Sequence, residues 1–258
     1  IGFLEGVAAG IMIAAVMFIV NYSRIDVVQY VLTGKDIQSN VERPSEQKAV
    51  LVHEGGRVRF FKLHGYIFFA SSNDLFDRIE QAIRDSESPV SFVILDFQYV
   101  SGIDTSAIHG FVKIKQMALE VGVQLGLSHV PPEIENLFST EDFADGDAVI
   151  DPVFKDVDHA LEWCEDFILR DSGYDPKIGI EPLSEKLSSI FKNNKLQEQF
   201  ETYLTSIEFS VGDYLYRVHD QTRKMFLIEK GVLSVFSEID EGQEFRLRSV
   251  GAGSMVGI

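Results

Sequence analysis

The first twenty residues, IGFLEGVAAGIMIAAVMFIV, are apolar almost without a break, with Glu5 as the one charge. A helix of that length spans about 30 Å, the thickness of a bilayer's hydrocarbon core, so a transmembrane helix is expected over residues 1–21. Its small residues Gly2, Gly6, Ala8, Ala9 and Gly10 would let another helix approach closely. The acidic start and the exit into NYSRIDVV do not fit a signal peptide. Basic residues Arg24, Lys35 and Arg43 follow, which places that end in the cytosol by the positive-inside rule. Residues 22–47 then read as a polar juxtamembrane linker, with NVERPSEQ marked by its proline.

From residue 48 the pattern changes. AVLVHE and VRFFKLHGYIFFA read as strands, with a bend at His64 and Gly65. Leu75, Phe76, Ile79, Ala82 and Ile83 recur with helical spacing, after a cap at Ser72 or Asn73. VSFVILDF is continuously apolar, as in a strand covered on both faces. Ala107, Phe111, Ile114, Ala118 and Val121 then mark a second amphipathic helix, ended by Gly122. VQLGLSHV is another strand, Pro131–Phe138 a short helix, DAVID a short strand and Val157–Leu169 a last helix holding Trp163. Strands alternating with helices predict an α/β layer with a substantially parallel sheet.

Residues 171–184 have the composition of a connector. Leu183–Leu204 is mostly helical in pattern, with KNNK as an interruption. Short strands divided by VGD, EKG and DEGQ turns then predict an antiparallel roll up to residue 258. The chain starts at Ile1 and stops just after GAGSMVG, and it is expected to be a piece of a longer protein.

Composition narrows the chemistry. Forty acidic against 23 basic residues give a net charge of -17, which repels a nucleic-acid backbone. The single cysteine, Cys164, excludes an internal disulfide and fits a reducing compartment. The histidines at 53, 64, 129, 159 and 219 show no ligand spacing, so no metal and no other cofactor is expected. Glu141–Asp158 carries seven carboxylates and one lysine but lacks the alternating ligands of a calcium loop, and it reads as a solvated loop and helix entry.

The sharpest candidate is Asp104-Thr105-Ser106, at the junction of an apolar strand and a helix. One reading is a helix cap by Asp104 or Thr105; another is a phosphate at the helix amino end, where unpaired N–H groups favour an anion. Asp104 opposes a dianion so close by. Nucleophilic catalysis fares worse, because Ser106 and His109 sit one helical turn apart with no oxyanion site, and no enzyme activity is expected.

GYIFFASSNDLFDRIEQAI, VILDFQYVSGIDTSAIHGF and HALEWCEDFIL resemble the STAS domain at the cytosolic end of SulP-type anion transporters, and YSRIDVVQYVLTG with SNVERP resembles its linker from the last membrane helix. The resemblance covers roughly residues 1–170 and implies a STAS domain over residues 48–170: a β-sheet flanked by helices, preceded by one transmembrane helix. It implies a regulatory role in sulfate- or bicarbonate-like anion transport, at the cell membrane, with the STAS and carboxyl-terminal domains in the cytoplasm. In the related anti-sigma factor antagonists, the residue matching Ser106 is a regulatory phosphoserine, which implies the alternative of a membrane-tethered signalling module with Ser106, or Thr105 beside it, phosphorylated. Residues 185–258 resemble the first half of a cyclic-nucleotide-binding domain. There the family's usual Gly-Glu is replaced by Gly257-Ile258, so weak or absent cyclic-nucleotide binding is expected. Candidate partners are the rest of a transmembrane domain, the membrane, a second copy of the chain and a regulatory protein at the STAS surface.

Overall fold

The computed structural model describes residues 2–22, 26–84, 89–138, 152–176, 183–191, 194–217, 220, 224–239 and 243–257. The chain forms two compact units, Ile1–Ser39 with Ala49–Gly173, and Asn40–Lys48 with Tyr174–Ile258.

The first unit opens with α1 (Phe3–Tyr22). Its described side chains, as far as Met17, are all exposed. Among the described residues no helix is long and apolar enough to cross a membrane, so the membrane helix expected over residues 1–21 finds no span there.

A five-stranded sheet follows in the order β1-β2-β3-β4-β5, formed by β1 (Val28–Thr33), β2 (Val58–Ile67), β3 (Phe92–Ile103), β4 (Gln124–Ser128) and β5 (Val153–Phe154). β1 runs antiparallel to β2, and the other neighbours are parallel. The sheet is therefore mixed, and its antiparallel edge strand comes from the segment expected to be linker. Helices α3 (Phe69–Arg84), α4 (Thr105–Glu120) and α5 (Pro132–Phe138) pack their apolar faces on one side, around Phe61, Leu63, Val93, Leu95, Phe97, Phe111 and Phe138. On the opposite face, reached by the alternate strand residues, Phe92 and Phe154 meet Trp163 of α6 (Val157–Asp171) edge-on or tilted.

AVLVHE is not a strand. It lies in α2 (Ser45–Glu54), which starts just after Pro44 and buries Gln47 and Leu51, four residues apart, while Val52 stays exposed. That is a helical period, and Pro44 fits just before or within a first turn, where its missing N–H costs nothing. α3 also begins earlier than expected, at Phe69 rather than after a cap at Ser72 or Asn73. Its opening turn is held instead by Ser71, whose Oγ accepts from Phe68 N–H at 3.1 Å. The strand expected at DAVID and most of the acidic run lie outside the described residues.

The second unit contains α7 (Leu183–Ile190) and α8 (Asn194–Glu201), separated at the expected interruption. β6 (Met225–Leu227) pairs with β9 (Met255–Gly257), and β7 (Leu233–Ile239) with β8 (Gln243–Val250), both antiparallel. Residues 205–217 carry no helix or strand, and Ile207, Phe209, Val211 and Tyr214 lie exposed there.

Candidate functional site

β3 outruns β4. Its pairing with β4 ends at Asp96, while its pairing with β2 continues to Ile103, so a two-stranded ribbon projects beyond the sheet. Asp104 sits at the ribbon's end. Its backbone is extended, its N–H donates to Ile67 O at 3.0 Å, and its Oδ1 accepts from Ala107 N–H at 2.7 Å. Oδ2 accepts from Phe69 N–H at 3.3 Å. One residue thus joins the end of β2, through its backbone N–H, to the amino ends of α3 and α4, through its half-buried carboxylate. Thr105 and Ser106 are exposed in the first turn of α4, so capping falls to Asp104 and the two hydroxyls face outward. His109 is exposed one turn further on, and the Asp104 carboxylate is committed to backbone groups rather than to an imidazole.

A second constellation lies on the α6 face of the sheet, where β4 stops. Asp96 is fully buried, and Lys62, 6% exposed, donates from Nζ to Asp96 Oδ2 and to Gln98 Oε1. The same ammonium lies 4.5 Å from the centre of the Tyr99 ring. Asp96 Oδ1 accepts from Ser128 Oγ at 3.0 Å and lies 2.7 Å from His129 Nδ1. Burial acts to raise the Asp96 carboxyl, but the hydrogen bonds and charges of His129 and Lys62 outweigh it and hold it below the ordinary carboxylate range. His129 has φ +51°, the one positive φ at a non-glycine among the described residues. Close by in charge, Asp156 caps α6 by accepting from His159 N–H at 2.9 Å, with His159 Nδ1 2.7 Å away. Burial would raise this carboxyl too, and those bonds hold it low.

Sequence reasoning passed over Asp96, Lys62 and His129. The available signal was a charge inside each of two strand runs, FFKLH and VILDF, because a charge in a strand covered on both faces must be paired. Among the described residues no group of three or more histidine, cysteine or acidic side chains could hold a metal ion. Cys164 is buried, and burial with the neighbouring Glu165 charge pushes its thiol well up, which makes it unreactive.

The family model for the STAS domain matches residues 49–160. The chain carries a STAS domain. Two curated relatives match much of the chain: the vacuolar basic amino acid transporter VSB1 of Saccharomyces cerevisiae, 27% identical over 176 residues, and sulfate transporter 1.3 of Arabidopsis thaliana, 26% identical over 168. These alignments cover 65% and 61% of this chain but 17% and 24% of the relatives, so the chain spans less than a quarter of the length of either. Among solved structures, the murine Slc26a9 anion transporter in its inward-facing state is 19% identical with a TM-score of 0.45, covering 63% of this chain and 26% of that one.

Proposed function

We propose that this chain is the regulatory carboxyl-terminal region of a SulP-type secondary transporter for a small anion of the sulfate or bicarbonate kind. In this reading α1, whose described residues do not by themselves make up a membrane span, is part of the last membrane helix, the STAS domain is its cytoplasmic appendage, and residues 185–258 belong to a cyclic-nucleotide-binding-like unit with little or no nucleotide affinity. The observation that carries it is the order of the parts: an apolar helix of 20 residues, Phe3–Tyr22, lies ahead of the STAS match at residues 49–160, and it leaves Phe3 at 88%, Leu4 at 82%, Ile11 at 66% and Met12 at 68% exposed. Side chains so apolar need cover from lipid or neighbouring helices. Both curated relatives are transporters, which supports the same reading.

The test is twofold. The coding sequence upstream of Ile1 is expected to add about a dozen hydrophobic spans of about 20 residues each. The full chain is expected to float with phosphatidylcholine vesicles on a density gradient, and a chain lacking residues 1–22 to stay behind. A soluble upstream sequence, or flotation that does not depend on residues 1–22, would remove the reading.

A second reading, a tethered signalling module phosphorylated at Ser106, is favoured by one observation, the exposure of Ser106 at the amino end of α4. Anion uptake by the complete transporter bearing Ser106→Ala or Ser106→Asp separates the two. Uptake unchanged by both favours the transporter reading without a switch at this turn.

A further inference from the structure

The projecting end of the β2–β3 ribbon differs in composition from the rest of the chain. Residues 63–73, from the end of β2 into α3, contain no Asp, Glu, Lys or Arg. Residues 97–112, from β3 into α4, contain only Asp104 of those types, in a chain that is 24% charged with a net charge of -17. That one carboxylate is spent on the N–H groups of Phe69 and Ala107. Three aromatic rings stand out at this end: Tyr66 is 46%, Tyr99 58% and Phe69 63% exposed. Ile67 and Val100, next to the two tyrosines in the chain, are buried in the core under α3 and α4, so Tyr66 and Tyr99 project from the opposite face of the ribbon. Tyr66 lies across Gly102, its partner on β3, where a Cβ would meet the ring. Tyr99 lies against the Lys62 ammonium, which Asp96 and Gln98 hold. Both rings are thereby held in place before anything binds. Phe69 opens α3 at the tip, with Ser101, Thr105 and Ser106 also exposed there.

We propose that this tip is a self-association surface, through which the STAS domains of two copies of the chain meet about a two-fold axis. Aromatic surface depleted of charge is the composition of the buried centre of a protein–protein interface, and covering it leaves no ion unpaired. The charge of the chain selects the occupant. Two copies at -17 each repel one another across most of their surfaces, and the repulsion is least where neither carries a charge. A basic partner would be drawn to the acidic remainder of the surface instead. A two-fold axis through the tip sets Tyr66, Phe69 and Tyr99 against the same three rings, which suits edge-to-face aromatic contacts. The contact needs nothing outside the first unit, and it stands whether or not α1 enters a bilayer.

The test is cross-linking and sedimentation of the full chain in dodecyl maltoside micelles. Cys164, the single cysteine, is buried, so Ser101→Cys supplies the one reactive thiol. A short bis-maleimide is expected to join Ser101→Cys chains in pairs, and to leave Glu120→Cys, exposed at the far end of α4, unjoined. In sedimentation, Phe69→Glu, which keeps the N–H that Asp104 accepts, and Ser101→Glu are each expected to weaken the dimer by about tenfold or more. The two-fold axis brings each new carboxylate close to its own copy. Both positions are exposed, and an unchanged melting temperature shows that the fold is kept. Raising the salt from about 0.05 M to about 0.5 M is expected to tighten the dimer by screening its net charge. A monomer at every concentration, equal cross-linking at the two cysteine positions, or a dimer weakened by salt would overturn the proposal. So would a dimer indifferent to Phe69→Glu and Ser101→Glu, as association through α1 alone would produce.

Discussion

Phe69 and Asp104, 35 residues apart in the chain, meet where two helices begin: the Phe69 N–H donates to Asp104 Oδ2 at 3.3 Å while Asp104 Oδ1 accepts from Ala107 N–H at 2.7 Å. The carboxylate serves two amino ends at once, and its negative charge suits both helix dipoles.

Asp104→Ala is therefore expected to cost about 1 kcal/mol or somewhat more, the worth of a cap, with Ser106→Ala within about 0.5 kcal/mol of wild type because Ser106 is exposed. Urea unfolding of the two variants checks this. A larger loss for Ser106→Ala than for Asp104→Ala would mean that Ser106, not Asp104, holds the turn.

The Lys62–Asp96 pair is buried on both sides, so breaking it strands a charge. Asp96→Asn is expected to destabilise the STAS unit by roughly 3–5 kcal/mol, and Lys62→Met combined with Asp96→Leu by markedly less, since no buried charge is then left unpaired. Thermal unfolding in which the double variant loses as much as the sum of the two single ones would count against the pairing.

The pH dependence has a definite sign. Asp96 and Asp156 both have folded-state pKa values below their unfolded ones, so their contribution is complete above the unfolded value of about 3.9 and is lost as pH falls through the lower folded values. Wild-type stability is expected to fall steeply on acidification below about pH 4, and Asp96→Asn less steeply. Parallel acid-unfolding curves for the two proteins would refute the assignment.

A Cβ at Gly110 would collide with Phe76 Cε2, whose ring packs edge-on against Phe111 with centroids 5.1 Å apart. Gly110→Ala is expected to cost roughly 1–3 kcal/mol by forcing α3 and α4 apart, and Phe76→Leu in that background to recover part of the loss. An unchanged melting temperature in Gly110→Ala would show that the Phe76 ring swings clear.

Much of the STAS layer was legible because its elements repeat strongly. Leu75, Ile79 and Ile83 of α3 and Ala107, Phe111, Ile114 and Ala118 of α4 are the residues their periodicity marked, and all are buried. α2 was misread because AVLVHE combines β-branched residues with too short a run for a helical period to show; the buried pair Gln47 and Leu51 reveals it. Asp104 was legible as a cap by residue type and position. Its second partner, Phe69 N–H, was not, since that contact depends on where α3 begins.

The sequence by itself determined which side chains must leave water and roughly where strands and helices alternate, because burial periodicity and capping are local properties of the chain. It also determined the net charge and a single cysteine, which limit partners and redox chemistry. Only the tertiary structure decided that Lys62, Asp96 and His129 share one buried network, and that residues 40–42 lie along β8 rather than hanging as a linker. Those pairings join residues about 30 to 200 positions apart in the chain, and their energies depend on desolvation and on which strand edges are free, quantities that exist only once the sheets have formed.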